Sequence, residues 1–159
     1  VDENFLLDID EFKKKVSNNT KAVIPVHLTG KVFPTEQIFD FCSAKNIKII
    51  EDAAQSFGAG KNNEYKTGAI SDAAAFSLHP LKNFAIYGDG GLISTNNSDI
   101  ANNCTLLRNH GLENRDEAKI WGYNSRLDEL QAAYALIKLA EIDDLNNRYI
   151  ERNIHNYYL

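Results

Sequence analysis

Four residues in the middle of this 159-residue chain carry groups suited to covalent and acid–base chemistry: Asp52, Gln55, Ser77 and Lys82. Asp52 follows the apolar run Ile47-Lys48-Ile49-Ile50, which reads as a strand, and Gln55 comes three residues later. Ser77 ends a second strand-like run, AAAFS, and Lys82 lies five residues further on. Open parallel sheets hold their ligands outside the carboxyl ends of the strands. A carboxylate, an amide, a hydroxyl and an amine are therefore expected to converge at one sheet edge. These are the groups a pyridoxal phosphate site requires. The amine forms a Schiff base with the cofactor aldehyde, and a carboxylate against the pyridine nitrogen keeps it protonated, so that the ring accepts electrons as a substrate proton leaves. Hydroxyl and backbone N–H groups would hold the phosphate, and the amide can hydrogen-bond the ring oxygen.

Each residue also has a plain structural explanation. Lys82 alone would be a solvent-facing lysine, and Asp52 could cap a short helix through Ala53-Ala54. A carboxylate at the end of an apolar strand is nevertheless costly to bury without a cation, and a pyridinium would supply one. Gln55 and Ser77 could be satisfied by local backbone groups. His79 and His110 sit in loops where they either contribute chemistry or only shape the backbone. The turn Gly88-Asp89-Gly90-Gly91 lets backbone pass close to something, either a cofactor loop or a neighbouring strand.

The elements that must position these groups follow from periodicity. Ile9, Phe12 and Val16 mark a helix over 8–16, closed by Ser17-Asn18-Asn19. Ala22 to Val26 reads as a buried strand. A helix opening at Pro34-Thr35, with Ile38, Phe39, Phe41 and Cys42 on its apolar face, runs to Asn46. With the strand from Ile47 this makes a βαβ unit with parallel strands. Ala73 to Leu78 and Gly91 to Thr95 are further strands, and Asp99 to Arg108 is a helix. Residues 109–122 form a long polar loop around the lone Trp121. Leu130, Ala133, Tyr134, Ile137 and Leu139 mark a helix from Leu127, bending at Asp143-Asp144 and continuing almost to Leu159. The expected fold class is α/β with a mostly parallel sheet and flanking helices.

The composition, 43% hydrophobic and 25% charged, is that of one globular domain. A formal charge of −5, a pI near 5.3 and scattered basic residues offer a polyanion no footprint, so nucleic acid is not an expected partner. No run approaches the roughly 20 apolar residues of a membrane span, and no leader opens the chain, so a cytoplasmic location and no membrane contact are expected. Cys42 and Cys104, each inside an expected helix, read as buried reduced thiols. The four histidines form no metal-ligand pattern, so no metal is expected. The chain contains no Met and begins at Val1, which suggests a piece of a longer protein. Three nucleotide and hydrolase motifs fail. Gly58-Ala59-Gly60 has Asn63 where a dinucleotide fingerprint needs its third glycine. Gln55 and Asn62 break a phosphate-binding loop around Gly60-Lys61, and no serine lies in a nucleophile elbow.

Four segments resemble the DegT/DnrJ/EryC1/StrS family of pyridoxal-phosphate-dependent aminotransferases acting on nucleotide-linked keto-sugars. They are IIEDAAQSFGA (Ile49 to Ala59), SDAAAFSLHPLKNFAIYGDGGLI (Ser71 to Ile93), LRNHGL (Leu107 to Leu112) and GYNSRLDELQAA (Gly122 to Ala133), in the family's order and across nearly the whole chain. The resemblance implies part of the large domain of a type I, aspartate-aminotransferase-like fold. It implies that Lys82 is the Schiff-base lysine and, once freed, the general acid/base. Asp52 would be the pyridinium partner, Gln55 the neighbour of the ring oxygen and Ser77 a phosphate ligand. It also implies a homodimer in which Asn124 or Arg126 reaches the partner's phosphate. Its substrates would be a nucleotide sugar and an amino-acid donor, glutamate.

Leu78 and Leu81 depart from the family pattern beside the motif, where Phe and a small or hydroxylated residue are usual. The larger departure is length, because family members carry an upstream phosphate loop and a downstream small domain. Residues 1–159 are therefore expected to be a single partial domain from the middle of the enzyme. The rival reading is a truncated or degenerate relative that binds or dimerises without catalysis.

Overall fold

The structure is a computed structural model that describes residues 1–61 and 65–157. The Asn62-Asn63 doublet, expected as a turn, and Asn63 at the failed third-glycine position lie outside the described residues. Helix α1 (Ile9–Lys15) begins where the Asp8 carboxylate accepts the Glu11 N–H at 2.9 Å, and acidic residues in its first turn oppose lysines in its last. Strand β1 (Ala22–Val23) is shorter than the apolar run suggests. Pro25 has no N–H for a ladder, although Val26 still bridges Asp52 in parallel register. Helix α2 (Glu36–Ala44) buries Ile38 and Cys42, while Phe39 stays exposed.

Strands β2 (Lys48–Asp52), β5 (Ala73–Ser77) and β6 (Gly91–Ser94) complete a sheet in the order β1-β2-β5-β6. β1, β2 and β5 are parallel, and β6 runs antiparallel to β5. The mostly parallel sheet with flanking helices thus stands as expected. A small antiparallel hairpin, β3 (Gly60–Lys61) and β4 (Tyr65–Lys66), stands apart from this sheet. Helix α3 (Ser98–Arg108) is capped by Asn97, whose side chain accepts from Asp99 and Ile100 N–H groups. Helices α4 (Glu129–Leu139) and α5 (Ile142–Tyr157) are separated near the expected bend.

Two cores hold these elements. Leu6, Val23, Phe33, Ile38, Cys42, Ile47 and Ile49 pack α1 and α2 against one face of β1 and β2. Leu78, Phe84, Ile86 and Ile142, with Leu127, Tyr134 and Leu145 against them, lie under the loop after β5 and join it to α4 and α5. The Gly88–Gly91 turn serves this second core: a Cβ on Gly90 would come within 2.6 Å of Ile86, and one on Gly91 within 2.9 Å of the Phe76 carbonyl. The close approach is therefore to a neighbouring strand and core side chains. The long 109–122 loop is closed by bridges Asn109 to Asn124 and Leu112 to Ala118, and a Cβ on left-handed Gly111 (φ 73°) would overlap the Ile120 carbonyl. Both cysteines are free and helical, Cys42 buried and Cys104 half-buried.

The opposite sheet face is open. Period-2 alternation and the register put Val26, Ile50, Asp52, Ala75, Ser77 and Ile93 on that face, and Ile93 and nearby Ile24 are 58% and 60% exposed. Helix α4 likewise exposes Leu130, Leu136 and Ile137. Apolar surface of this kind promotes association. The isolated 159-residue chain is expected to elute from a size-exclusion column ahead of a 17.8 kDa standard. A monomeric peak at micromolar concentration would contradict this.

Candidate active site

The sheet register builds the site. Asp52 pairs with Ala75, so Ser77, two residues further along β5, points to the same open face at the same strand ends. The Asp52 carboxylate is half-buried and accepts the Ala54 N–H through Oδ1 at 3.1 Å. No helix forms at Ala53-Ala54, so this bond closes a turn, and Oδ2 has no partner among the described residues. The exposed Gln55 accepts the Thr29 N–H through Oε1 at 2.7 Å, which leaves its NH2 group as the donor it can offer. Ser77 Oγ accepts the His79 N–H at 3.2 Å, and His79 Nδ1 accepts the Leu81 N–H at 3.2 Å. His79 thus shapes the turn that delivers Lys82, and Lys82 N–H closes it onto the His79 carbonyl. His110 is similarly a backbone element, with φ at 59° and its N–H on the Tyr123 carbonyl.

Lys82 is half-buried, and its ammonium has no hydrogen-bond or ion-pair partner among the described residues. It lines a cleft of about 950 Å³ with Thr29, Gly30, Asn83 and Asn146. The loop bearing it is held rigid on both sides by Leu78 (0% exposed) and Phe84 (2%). Two residues that sequence reasoning missed lock this arrangement. Asn83 Nδ2 donates to the Phe57 carbonyl at 2.8 Å and to Asn146 Oδ1 at 2.9 Å, while Asn146 Nδ2 donates to the same carbonyl at 3.1 Å. Phe57 also stacks on Phe84 at 4.2 Å. Helix α5 is thereby clamped against the lysine loop across the cleft. Only tertiary packing brings residue 146 here.

Asn124 and Arg126 form a separate pair. Arg126 Nε donates to Asn124 Oδ1 at 3.1 Å, both are exposed, and neither lines the Lys82 cleft. Trp121 and Tyr123 beside them are 98% and 70% exposed, so within this chain they are surface aromatics and not core.

A second missed group lies beneath the site. Glu51 and His27 are fully buried, with His27 Nε2 2.8 Å from Glu51 Oε2. Burial pushes the Glu51 carboxyl up, but hydrogen bonds from His27 and the Gly68 N–H outweigh it and hold the group below its ordinary value of 4.5. Burial likewise pushes Asp72 up, and the Lys48 ammonium and the Ile49 N–H outweigh it, holding that group below 3.8. A carboxyl depressed in the folded state adds stability that is present above its unfolded value and lost as pH falls through the folded one. The urea midpoint is therefore expected to stay level from pH 7 to 5 and to drop steeply below about 4.5. Glu51→Gln should flatten that drop; an unchanged slope would contradict the assignment.

A half-buried carboxylate, an amine without a partner among the described residues and an amide N–H are the groups that would hold a pyridine cofactor bearing an aldehyde; they share the strand ends, although Asp52, Gln55 and Ser77 do not line the Lys82 cleft itself. The DegT/DnrJ/EryC1/StrS aminotransferase family model matches residues 1–158. The chain belongs to this family. A dTDP-3-amino-3,6-dideoxy-alpha-D-galactopyranose transaminase of Aneurinibacillus thermoaerophilus is 43% identical over 153 residues, which is 96% of this chain and 41% of that protein. The pleiotropic regulatory protein of Geobacillus stearothermophilus is 41% identical over 87% of this chain and 37% of its own length. Among solved structures, S. venezuelae DesV in complex with a ketimine intermediate superposes with a TM-score of 0.83 at 37% identity, covering 87% of this chain and 37% of DesV. NtdA from Bacillus subtilis, determined with bound cofactor PMP, gives 0.74 at 33% identity, covering 83% and 30%. This family member thus has the fold of the sugar aminotransferases, the type I fold, and spans about two fifths of the relatives it matches. No described helix is long and apolar enough to cross a membrane.

Proposed function

We propose that the chain is the central part of the large domain of a cytoplasmic, pyridoxal-phosphate-dependent aminotransferase that converts a nucleotide-linked keto-sugar to an amino sugar, with glutamate as the amino donor. The single observation that carries this is the Lys82 amine, without a partner among the described residues, on a turn at the strand ends that also present Asp52 and Ser77. The names of the relatives, sugar transaminases among them, support the substrate class. When bound, pyridoxal phosphate supplies an aldehyde to hold the donor nitrogen and a ring to take up electrons.

The chain's own residues do the rest. Lys82 would supply the amine that holds the cofactor and, when free, would move a proton to and from the substrate carbon. Asp52, whose Oδ2 has no partner among the described residues, would hold the pyridine nitrogen protonated. Gln55, its carbonyl oxygen held by Thr29, would offer N–H to the ring oxygen. The Ser77 hydroxyl, accepting from His79, would donate to the phosphate. Asn124 or Arg126, both exposed beside Trp121, would reach the cofactor phosphate of a second copy in a homodimer. The rival reading, a non-catalytic relative, gives no purpose to an amine and a carboxylate oxygen that have no partner among the described residues. Incubation with pyridoxal phosphate, borohydride reduction and peptide mapping test the reading. Stoichiometric label at Lys82 is expected, and scattered or absent label on the protein made from its complete reading frame would sink it.

A further inference from the structure

Strand alternation puts Glu51 and Asp52 on opposite faces of β2, Asp52 toward the site and Glu51 into the interior. Glu51 Oε2 accepts from His27 Nε2 at 2.8 Å and from the Gly68 N–H at 2.7 Å. His27 Nδ1 accepts the Phe33 N–H at 2.9 Å, so the ring donates at Nε2. A buried hydrogen-bonded line thus runs from Phe33 through His27 and Glu51 to Gly68. Both ends of the segment His27 to Phe33 are tied by it.

That segment also touches the site. The His27 N–H donates to the Asp52 carbonyl at 3.1 Å, and the Asp52 N–H donates to the Pro25 carbonyl at 2.9 Å. Thr29 has a left-handed φ of 55°, and Gly30 one of 84°. In this conformation the Thr29 N–H reaches Gln55 Oε1 at 2.7 Å. A non-glycine residue held there is strained unless its surroundings over-determine it. Asp52 and Gln55 therefore both lean on a turn whose buried anchor is the His27–Glu51 pair. A well-packed apolar pair would stabilise the core at least as well as a buried carboxylate. It could not set an angle and a register through directional bonds.

We propose that Glu51 and His27 are positioning residues for the cofactor site: through the strand end and the Thr29 turn they set the placement of Asp52 and the orientation of Gln55. This rests on the cofactor reading above, and its test separates the two. Wild type, Glu51→Ala and Glu51→Gln, made from the complete reading frame, are compared by pyridoxal phosphate titration, the absorption band of the bound cofactor and borohydride labelling. Amide hydrogen exchange over residues 27–33 and 53–56 is measured without cofactor.

Glu51→Ala is expected to bind pyridoxal phosphate about tenfold or more weakly, with a shifted band and faster exchange in both segments. Glu51→Gln keeps an oxygen for His27 and Gly68, and the Ser71 hydroxyl near Glu51 already donates to the Ala73 carbonyl and can accept from the new nitrogen. It should stay within about threefold of wild type. If Glu51→Ala does not fold, His27→Asn replaces it. Its side chain can still accept the Phe33 N–H but is too short for Glu51, and the same tenfold loss is expected.

A merely structural pair would lower thermal stability and leave affinity, band and site exchange unmoved. Such a result in any folded disrupting variant overturns the proposal. So does failure of both disrupting variants to fold while Glu51→Gln binds normally, because the pair would then be a folding determinant alone. Wild type that takes no label at Lys82 overturns the functional reading, whereas labelled wild type matched by Glu51→Ala overturns only the positioning role.

Discussion

Lys82→Ala is expected to abolish borohydride-fixed incorporation of pyridoxal phosphate and to lower transamination by about 10³-fold or more. Two contributions are removed together. Proton transfer by a positioned side chain is worth about 10²- to 10⁴-fold, and the covalent tether that holds the cofactor goes with it. The substitution should leave the fold intact, because the lysine ammonium has no partner among the described residues and the turn is held by Leu78, Phe84 and the His79 carbonyl. Circular dichroism and thermal unfolding indistinguishable from wild type, together with lost labelling, would place the effect in the chemistry. Arg in place of Lys82 keeps the charge and should be equally inactive, since a guanidinium remains protonated. Retained labelling at another lysine in Lys82→Ala would refute the assignment.

The second large effect is expected at Asp52. Asp52→Asn is nearly isosteric and keeps an oxygen for the Ala54 N–H, so the turn at the end of β2 should survive. The amide can no longer hold a protonated ring nitrogen. A hydrogen bond to a charged group is worth about 1.5–3 kcal/mol, so turnover should fall by about ten- to a hundred-fold or more, with a smaller loss in cofactor affinity. Labelling at Lys82 should persist but require more cofactor. A cofactor analogue whose ring nitrogen carries a permanent positive charge should recover part of the activity of Asp52→Asn and none of that of Lys82→Ala. Equal behaviour of wild type and Asp52→Asn across these measurements would remove the carboxylate from the site.

Much of the candidate site is legible in the chain because its residues are local in sequence. Asp52 and Gln55 follow one strand, Ser77 and Lys82 follow another, and parallel pairing of those strands brings both sets to one edge. Alternation together with the Asp52–Ala75 register places Ser77 and Asp52 on one face. What the spacing could not show is what each group is already bonded to. Gln55 reads as a free amide until Thr29, 26 residues earlier, is found holding its oxygen. Glu51 reads as a charged neighbour of Asp52, although alternation with the buried Ile49 signals that it points inward. The shortened β1 shows a local veto, since Pro25 ends the ladder that the apolar run Ala22 to Val26 suggests. The β3–β4 hairpin escaped notice because two-residue strands carry no periodicity.

Hydrophobic periodicity, helix caps and strand-end polar residues, all properties of a few consecutive side chains, were enough to determine the α/β class, the order of its main helices and sheet strands, and the amine and carboxylate at its centre. The tertiary structure alone decided that Asn146 clamps the lysine loop from 63 residues away, that His27 meets Glu51 across 24, and that one sheet face and the α4 stripe remain uncovered. Contacts between segments distant in sequence depend on how whole elements pack, and no local pattern of residue types encodes that packing.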